Sequence, residues 1–361
     1  MTTRFGIAAL LAACCAAPSA PARAQSNPPP IRHVFVLILE NQGYDSTFGP
    51  RSPAHYLADT MVKAGALLRQ YYGTGHFSLD NYIAMISGIA PSPETQLDCG
   101  RYIDFVQTGT APDGQPIGRG CVYPATVRTL ANQLAESGRT WKAYLEDMGN
   151  DPTREPPTCG HAPLGERDPT GHAALTDQYA AKHNPFVYFH SIIDSASCGK
   201  NVVALPALEQ DLRSGTPNYV FIVPNLCHDG HDHPCVSHEP GGLVSADQFL
   251  AHWVPLITAS PAFKDGLLIV TFDEASSEDA SACCAEPPGP NVPKPGYAGP
   301  GGGRTGAVLL SPFIAPGTVS DVPYNHYSML KSIEEIFHLP FLGYAGLPGL
   351  AGFGPHIYTR P

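Results

Sequence analysis

The sequence predicts an α/β domain built on a buried sheet, and three observations carry the prediction. Continuous apolar runs at 33–40 (HVFVLILE), 218–223 (NYVFIV) and 266–272 (GLLIVTF) have strand length. They lack the alternation of a strand with one face in water, as strands covered on both faces do. Segments of helical periodicity separate them, which is the order expected of strands joined by crossover helices. No internal repeat and no clean linker divides the 361 residues, so a single domain with loop excursions is expected.

Composition bounds the function. Hydrophobic residues make up 43% and charged residues 15% of the chain, which is globular rather than disordered. The 36 glycines and 38 prolines predict many loops. A formal net charge of −11 argues against nucleic acid as a partner. It leaves room for a phosphate substrate, because a bound metal ion can supply positive charge locally.

Residues 1–24 read as a signal peptide, with Arg4 as a minimal basic start, an apolar stretch at 5–17, and Ala22-Arg23-Ala24 before Gln25 as a cleavage signal. Leu11-Ala12-Ala13-Cys14 is a competing lipobox that would leave Cys14 lipidated. Either reading exports the domain at 25–361, to the periplasm or beyond, and no later stretch has the length and apolarity of a membrane span. Apart from Cys14 and Cys15 there remain Cys99, Cys121, Cys159, Cys198, Cys227, Cys235, Cys283 and Cys284, an even set that reads as disulfides. Closeness in sequence suggests the pairs Cys99–Cys121 and Cys227–Cys235. The absence of a C-x-x-C pair argues against structural zinc.

In chain order, a proline-rich lead-in at 25–31 precedes the first strand, which ends on Glu40 and Asn41. A helical pattern at 55–68 leads to a short strand near 70–72. The glycine-rich turn GTGHF then feeds a helix over 79–87, with Ser78 as its expected N-cap and Asn81 in its first turn. Residues 91–123 form an irregular excursion, 125–137 an amphipathic helix closed by Gly138, and 140–145 a strand. After a second excursion, a helix at 205–212 carries Pro206 in its first turn, where a missing N–H costs nothing. The strand at 218–223, a helix at 246–257 and the strand at 266–272 follow, the last ending on Asp273-Glu274. A long loop at 278–303, a fourth strand at 306–310 and a closing helix at 327–337 complete the chain.

Four places converge. In open α/β sheets ligands bind beyond the carboxyl ends of the strands, where Glu40-Asn41, Asp273-Glu274 and the cluster PNLCHDGHDH at 224–233 all fall. Ser78 opens a helix whose free N–H groups suit an anion. Hard oxygen donors of this kind suit calcium, magnesium or manganese. A cation beside Ser78 would activate its hydroxyl as a nucleophile. His228, Asp229, His231, Asp232 and His233 offer a second metal, a general acid for the leaving group, or a disulfide-tied loop whose histidines meet solvent. His326 opens the last helix and is a further candidate by position.

The segments VFVLILENQGYDSTFG, HFSLDNYIAMISG, KHNPFVYF, PNYVFIVPNLCHDGHD, LLIVTFDE and YNHYSMLKSIEEIFHLP run in order from about residue 33 to about residue 344. Together they resemble the phosphoesterase family of bacterial acid phosphatases and phospholipases C, within the alkaline-phosphatase-like superfamily. The resemblance implies a doubly wound, mostly parallel sheet with helices on both faces. It implies Ser78 as the phosphorylated nucleophile and Glu40, Asn41, Asp273, Glu274 and Ser78 around a divalent metal, zinc being added to the candidates. Asn81 would bind phosphoryl oxygens, with Asp229, His231 and His326 lining the rest. The chain departs from the pattern at Asp80, where proline is usual, at Phe77 after His76, and after Glu274, where ASSEDASACC replaces a His/Gly-Gly continuation.

The expected function is therefore an exported, metal-dependent phosphoric monoester hydrolase working through phosphoserine on a small phosphate ester or a phospholipid headgroup. A phospholipase C-type phosphodiesterase is the first alternative, with loops 105–118 and 341–353 as its candidate apolar surface. An exported protein that binds metal or phosphate without turnover is the second. Oligomeric state is left open.

Overall fold

Eight strands form the central sheet of the protein, seen here in a computed structural model that describes residues 1–2 and 28–360. The expected leader, its cleavage site, Cys14 and Cys15 lie outside the described residues. The strands are β1 (His33–Leu39), β2 (Ala66–Leu68), β3 (Trp141–Leu145), β4 (Val202–Ala204), β5 (Tyr219–Val223), β6 (Gly266–Phe272), β7 (Ala307–Leu310) and β8 (Thr318–Ser320). Their order across the sheet is β8-β2-β7-β6-β1-β5-β3-β4. Only β7 runs against its neighbours. The sheet is mostly parallel, as expected.

The central strand β1 lies between β5 and β6, Val36 pairing with Phe221 on one side and Ile269 on the other. Its side chains alternate between two cores. Val34, Val36 and Ile38 pack under the helices α1 (Ser78–Ser87), α2 (Leu130–Glu136) and α5 (His326–Phe337). Phe35, Leu37 and Leu39 pack under α3 (Ala207–Arg213) and α4 (Gly242–Ala259). Each such fully buried side chain stabilises the fold by roughly 1.5–3 kcal/mol. Two buried faces explain why the strand reads as a continuous apolar run.

Differences from the sequence reading are local. The helical pattern at 55–68 stops at Ala64, and its last three residues become β2. Gly65 makes that break, because a Cβ there would sit 2.1 Å from the Leu309 carbonyl oxygen. The helix expected over 125–137 begins only at Leu130, where Thr129 and Asn132 form a reciprocal capping box. The cysteines pair as Cys99–Cys121, Cys159–Cys198, Cys227–Cys235 and the adjacent Cys283–Cys284. Among the described residues no helix is long and apolar enough to cross a membrane.

One buried acid on α5 makes the stability pH-dependent. Glu334 is 0% exposed and accepts the Leu342 N–H at 2.9 Å; burial pushes its carboxyl up to about 9. Its contribution to stability is present below the ordinary glutamate value and is lost as pH rises toward about 9, since the folded state then holds a proton that the unfolded chain releases. Glu334→Gln should flatten the fall in melting temperature between about pH 5 and pH 9. An unchanged slope in thermal melts followed by circular dichroism would show that Glu334 does not carry this dependence.

Candidate active site

Because β1, β5 and β6 are adjacent and parallel, their carboxyl ends bring three polar segments to one edge. Backbone bonds lock these segments together. The Glu40 N–H donates to the Asp229 carbonyl at 2.8 Å, and the Asp273 N–H to the Leu39 carbonyl at 2.9 Å. Helix α1 sets Ser78 against this edge, where its Oγ donates to Glu40 Oε2 at 3.0 Å. Tyr82 lies one turn further along the same face and donates its hydroxyl to Glu40 Oε1 at 2.6 Å. Glu40 is 0% and Ser78 2% exposed.

Ser78 is not the N-cap. It is the first helical residue, and Phe77 holds the cap position with φ 71° and ψ 146°. A non-glycine residue in that region costs on the order of 1–3 kcal/mol, a strain concentrated at functional sites. The turn is held by Asn81, whose Oδ1 accepts the N–H groups of Thr74 and Gly75 at 2.8 and 3.0 Å. Its Nδ2 donates to the carbonyls of Gly75 and Phe77 at 3.0 and 3.2 Å. Both ends of the amide that was expected to meet phosphoryl oxygens are thus spent on shaping the turn. Asp80 lies under the same turn, buried, with both carboxylate oxygens lacking a hydrogen-bond partner among the described residues. Burial, and then the Glu274 charge, push its carboxyl well up.

Around Ser78 the electrostatics are lopsided. Glu40, Asp229 and Asp273 are fully buried and Glu274 nearly so. Burial raises all four carboxyls, and mutual repulsion adds to it, Asp273 acting on Glu40 and Glu274 on Asp273. Among the described residues two cations face them: His76, which, although burial opposes it, Glu274 holds above the usual histidine range, and Lys182. Burial alone would lower its ammonium, but Asp98 and Glu40 outweigh that and hold it above its ordinary value. Lys182 Nζ donates to Asp98 Oδ2 at 3.1 Å, while Asp98 Oδ1 accepts the Leu79 N–H at the start of α1. The Cys99–Cys121 disulfide adjoins Asp98 and ties that excursion down.

His183 fills the space between two of the acids. Its Nε2 is 3.4 Å from Glu40 Oε1, its Nδ1 3.4 Å from Asp229 Oδ2, and its ring stacks on Tyr82. Burial, and then the Lys182 charge, hold it well below the usual histidine range. Asp273 Oδ1 accepts the N–H groups of Asn41 and Glu274, whereas its buried Oδ2 has no partner among the described residues. His76 Nδ1 lies 2.6 Å from Glu274 Oε2 and fixes one of its oxygens. An orphaned carboxylate oxygen and a surplus of buried hard-oxygen donors beside a hydroxyl fit a divalent cation. Among Glu40, Asn41, Ser78, Asp273 and Glu274, the residues expected around the ion, Asp273 Oδ2 is the buried oxygen without a partner among the described residues.

The remaining candidates divide. His231 is exposed at the rim, its ring 6.5 Å from that of His183, and its N–H donates to Asp229 Oδ1. His228 turns away to Glu146 and Glu239, and although burial opposes it, the Glu146 contact raises it to about 9. Cys227, His228 and Glu239 crowd their ligand atoms within 4.8 Å, but the Cys227 sulfur is bound to Cys235, so the group is a tied loop rather than a metal centre. His326 departs from expectation. It is 0% exposed, with Nε2 2.5 Å from the Asp273 carbonyl and Nδ1 3.1 Å from the Tyr71 hydroxyl, and burial lowers it to about 4. Both nitrogens face protein, so His326 steadies the backbone of Asp273 instead of lining open space. Lys182, His183, Tyr82, His76 and Asp98 are the neighbours that residue reading had not singled out.

Residues 51–340 match the sequence profile of the Phosphoesterase family, four-fifths of the chain. The chain belongs to the phosphoesterase family. This phosphoesterase is 25% identical over 316 residues to a probable acid phosphatase of Kluyveromyces lactis, covering 86% of this chain and 59% of that protein. It is 28% identical over 287 residues to a phosphate-repressible acid phosphatase of Penicillium chrysogenum, covering 78% and 54%. A phosphatidylinositol-3-phosphatase of Mycobacterium tuberculosis is 23% identical, covering 88% and 80%. The phosphoesterase thus spans little more than half the length of the fungal relatives. Among solved structures, a sulfatase from Pseudoalteromonas shares the fold with TM-score 0.51 at 12% identity, covering 92% of this chain and 72% of that one. A protein of glycosaminoglycan metabolism from Bacteroides thetaiotaomicron gives TM-score 0.52 at 11% identity, covering 91% and 82%. At these identities the likeness concerns the fold alone.

Proposed function

We propose that this phosphoesterase is an exported, metal-dependent hydrolase of phosphoric monoesters that works through a phosphoserine at Ser78. The observation that carries the reading is the Ser78 hydroxyl, at the start of a helix and 3.0 Å from the buried Glu40 carboxylate, beside Asp273 and Glu274. The acid phosphatases among its relatives support the reaction class, and the paired cysteines and the sequence of the leader support export.

A divalent cation held by Glu40, Asn41, Asp273, Glu274 and Ser78 would supply positive charge to the phosphoryl oxygens and favour the ionised hydroxyl. Glu40 Oε2 accepts the Oγ–H bond, which fixes the orientation of the Ser78 oxygen. The Tyr82 hydroxyl holds Glu40 from behind, with the His183 ring stacked on Tyr82 beside it, so its carboxylate keeps one orientation. Lys182, anchored by Asp98, adds a fixed positive charge that favours a dianionic phosphoryl group. Ser78 Oγ bonds to phosphorus as the ester P–O bond breaks; the hydroxyl proton passes to Glu40. The departing oxygen takes a proton from His231 on the rim. Water then attacks phosphorus and gives a proton to His231 as the Oγ–P bond breaks; phosphate leaves, and Ser78 takes back the proton held by Glu40.

A side-by-side assay of p-nitrophenyl phosphate and p-nitrophenylphosphorylcholine, with wild type and Ser78→Ala, tests the reading. Turnover of the monoester alone, lost in the variant, is the expected result. Turnover of the diester would move the protein to the phosphodiesterase side. Phosphate or metal binding with no turnover across a pH and metal series would make it a binding protein.

A further inference from the structure

We propose that Phe77 and Tyr297 form an aromatic corner that selects phosphomonoesters whose leaving group carries a flat ring, such as an aryl or nucleoside phosphate. The proposal rests on the reading of Ser78 as nucleophile. Phe77 immediately precedes Ser78 and is 39% exposed, whereas Ser78 is 2% exposed. Tyr297 comes from the loop after Glu274 and is 61% exposed. The two rings meet edge to face, with centroids 5.6 Å apart and planes at 82°. They make two walls at a right angle, the arrangement in which a third ring can lie face-on to one and edge-on to the other.

Neither ring has a folding role that explains it. Both residues hold positive φ, 71° at Phe77 and 56° at Tyr297, a conformation that glycine adopts without strain. An aromatic side chain at such a position, pointing to solvent, is costly to the fold twice over, through the backbone and through exposed apolar surface. The surroundings nevertheless fix both. Gln96 Nε2 donates to the carbonyls of Lys294 and Pro295, and the His76 N–H to Pro295, so the two loops are sewn together around the start of α1. Gly296 closes the turn that presents Tyr297; a Cβ there would lie 2.0 Å from the Gly301 carbonyl oxygen.

The corner stands beside the turn that carries the nucleophile. In-line attack puts the departing oxygen on the side of phosphorus away from Ser78 Oγ. The His76 N–H bonds to the Pro295 carbonyl two residues before Tyr297, and Phe77 precedes Ser78, so both rings flank the turn that carries the nucleophile, and a ring on the leaving group that folds over this turn meets them. The Tyr297 hydroxyl gives the outer wall a polar tip that can meet a ring heteroatom.

The test compares kcat/KM for p-nitrophenyl phosphate and adenosine 5′-monophosphate with that for glycerol 2-phosphate, in wild type, Tyr297→Ala and Phe77→Gly. Comparing each variant with wild type cancels the intrinsic reactivity of the esters. The expected result is a fall of about tenfold in the ring-to-alkyl ratio, mainly through KM, as the loss of one stacking partner produces. Phe77→Gly should also melt no lower than wild type, because it relieves the backbone; a purely structural Phe77 would instead lower the melting temperature. A fall for the aryl ester but not for the nucleotide would confine the site to directly attached rings, and the converse would confine it to nucleosides; either supports the corner. An unchanged ratio for both overturns it. Absence of turnover on every ester in wild type would count against the phosphatase reading itself.

Discussion

Ser78→Ala should lower turnover of p-nitrophenyl phosphate by at least about 10⁴-fold, the scale on which an enzyme that depends on a covalent nucleophile loses activity when it is deleted. The fold should survive. The hydroxyl makes one hydrogen bond to Glu40, and its loss costs about 1–3 kcal/mol by leaving a buried acceptor oxygen short of a partner. That is small against packing in which all ten residues of α1 are buried. Acid quenching of wild type during turnover should trap one phosphate on the peptide that contains Ser78, seen as a mass increase absent from the variant. Retained activity in Ser78→Ala, or a phosphate trapped on another residue, would remove Ser78 from the mechanism. Loss of activity together with loss of the circular-dichroism spectrum would mark it as a structural residue.

Much of this site was legible in the sequence for a simple reason. Strands buried on both faces write themselves as apolar runs, and the first polar residues after them, Glu40 and Asp273, then fall at the sheet edge. Ser78 was legible because glycine-rich turns that enter helices announce themselves. Lys182 and His183 were legible only as the start of the segment KHNPFVYF, with no role attached. They sit on a three-residue 3-10 turn, Ala181–His183, inside an excursion with no periodicity, and reach the site only through tertiary packing. The signal available was their place before the apolar stretch NPFVYF, which becomes buried core. His326 shows the opposite failure. Its position beside the site was readable, but which way its two nitrogens face depends on Tyr71 and the Asp273 carbonyl, which no spacing encodes. The left-handed turn at Phe77 was unreadable as well, since nothing in the residue type suggests it.

Asp273→Asn should change stability in opposite directions with and without metal, and this sign reversal tests the cation more sharply than activity does. Without metal, Glu40, Asp229, Asp273 and Glu274 are buried together against Lys182 and the His76 imidazole that pairs with Glu274. Burial and then the neighbouring charge of Glu274 already push the Asp273 carboxyl well up. Asparagine removes that charge while its Oδ1 can still accept from the N–H groups of Asn41 and Glu274. In a chelator the variant should therefore melt above wild type. With a saturating divalent cation the order should invert. A ligand bound only to the folded state stabilises it by about 2.7 kcal/mol at one hundred times its dissociation constant, and wild type would gain this where the variant, short of one anionic donor, gains less. Activity should drop at least about 100-fold in parallel, because the same charge serves the reaction. A scan of calcium, magnesium, manganese and zinc by thermal melts would also rank the ions without reference to turnover. If wild type gains no stability from any of them, the buried acids are balanced by protons rather than by metal. The proposed mechanism would then have to assign charge neutralisation to Lys182 and to His76 on Glu274.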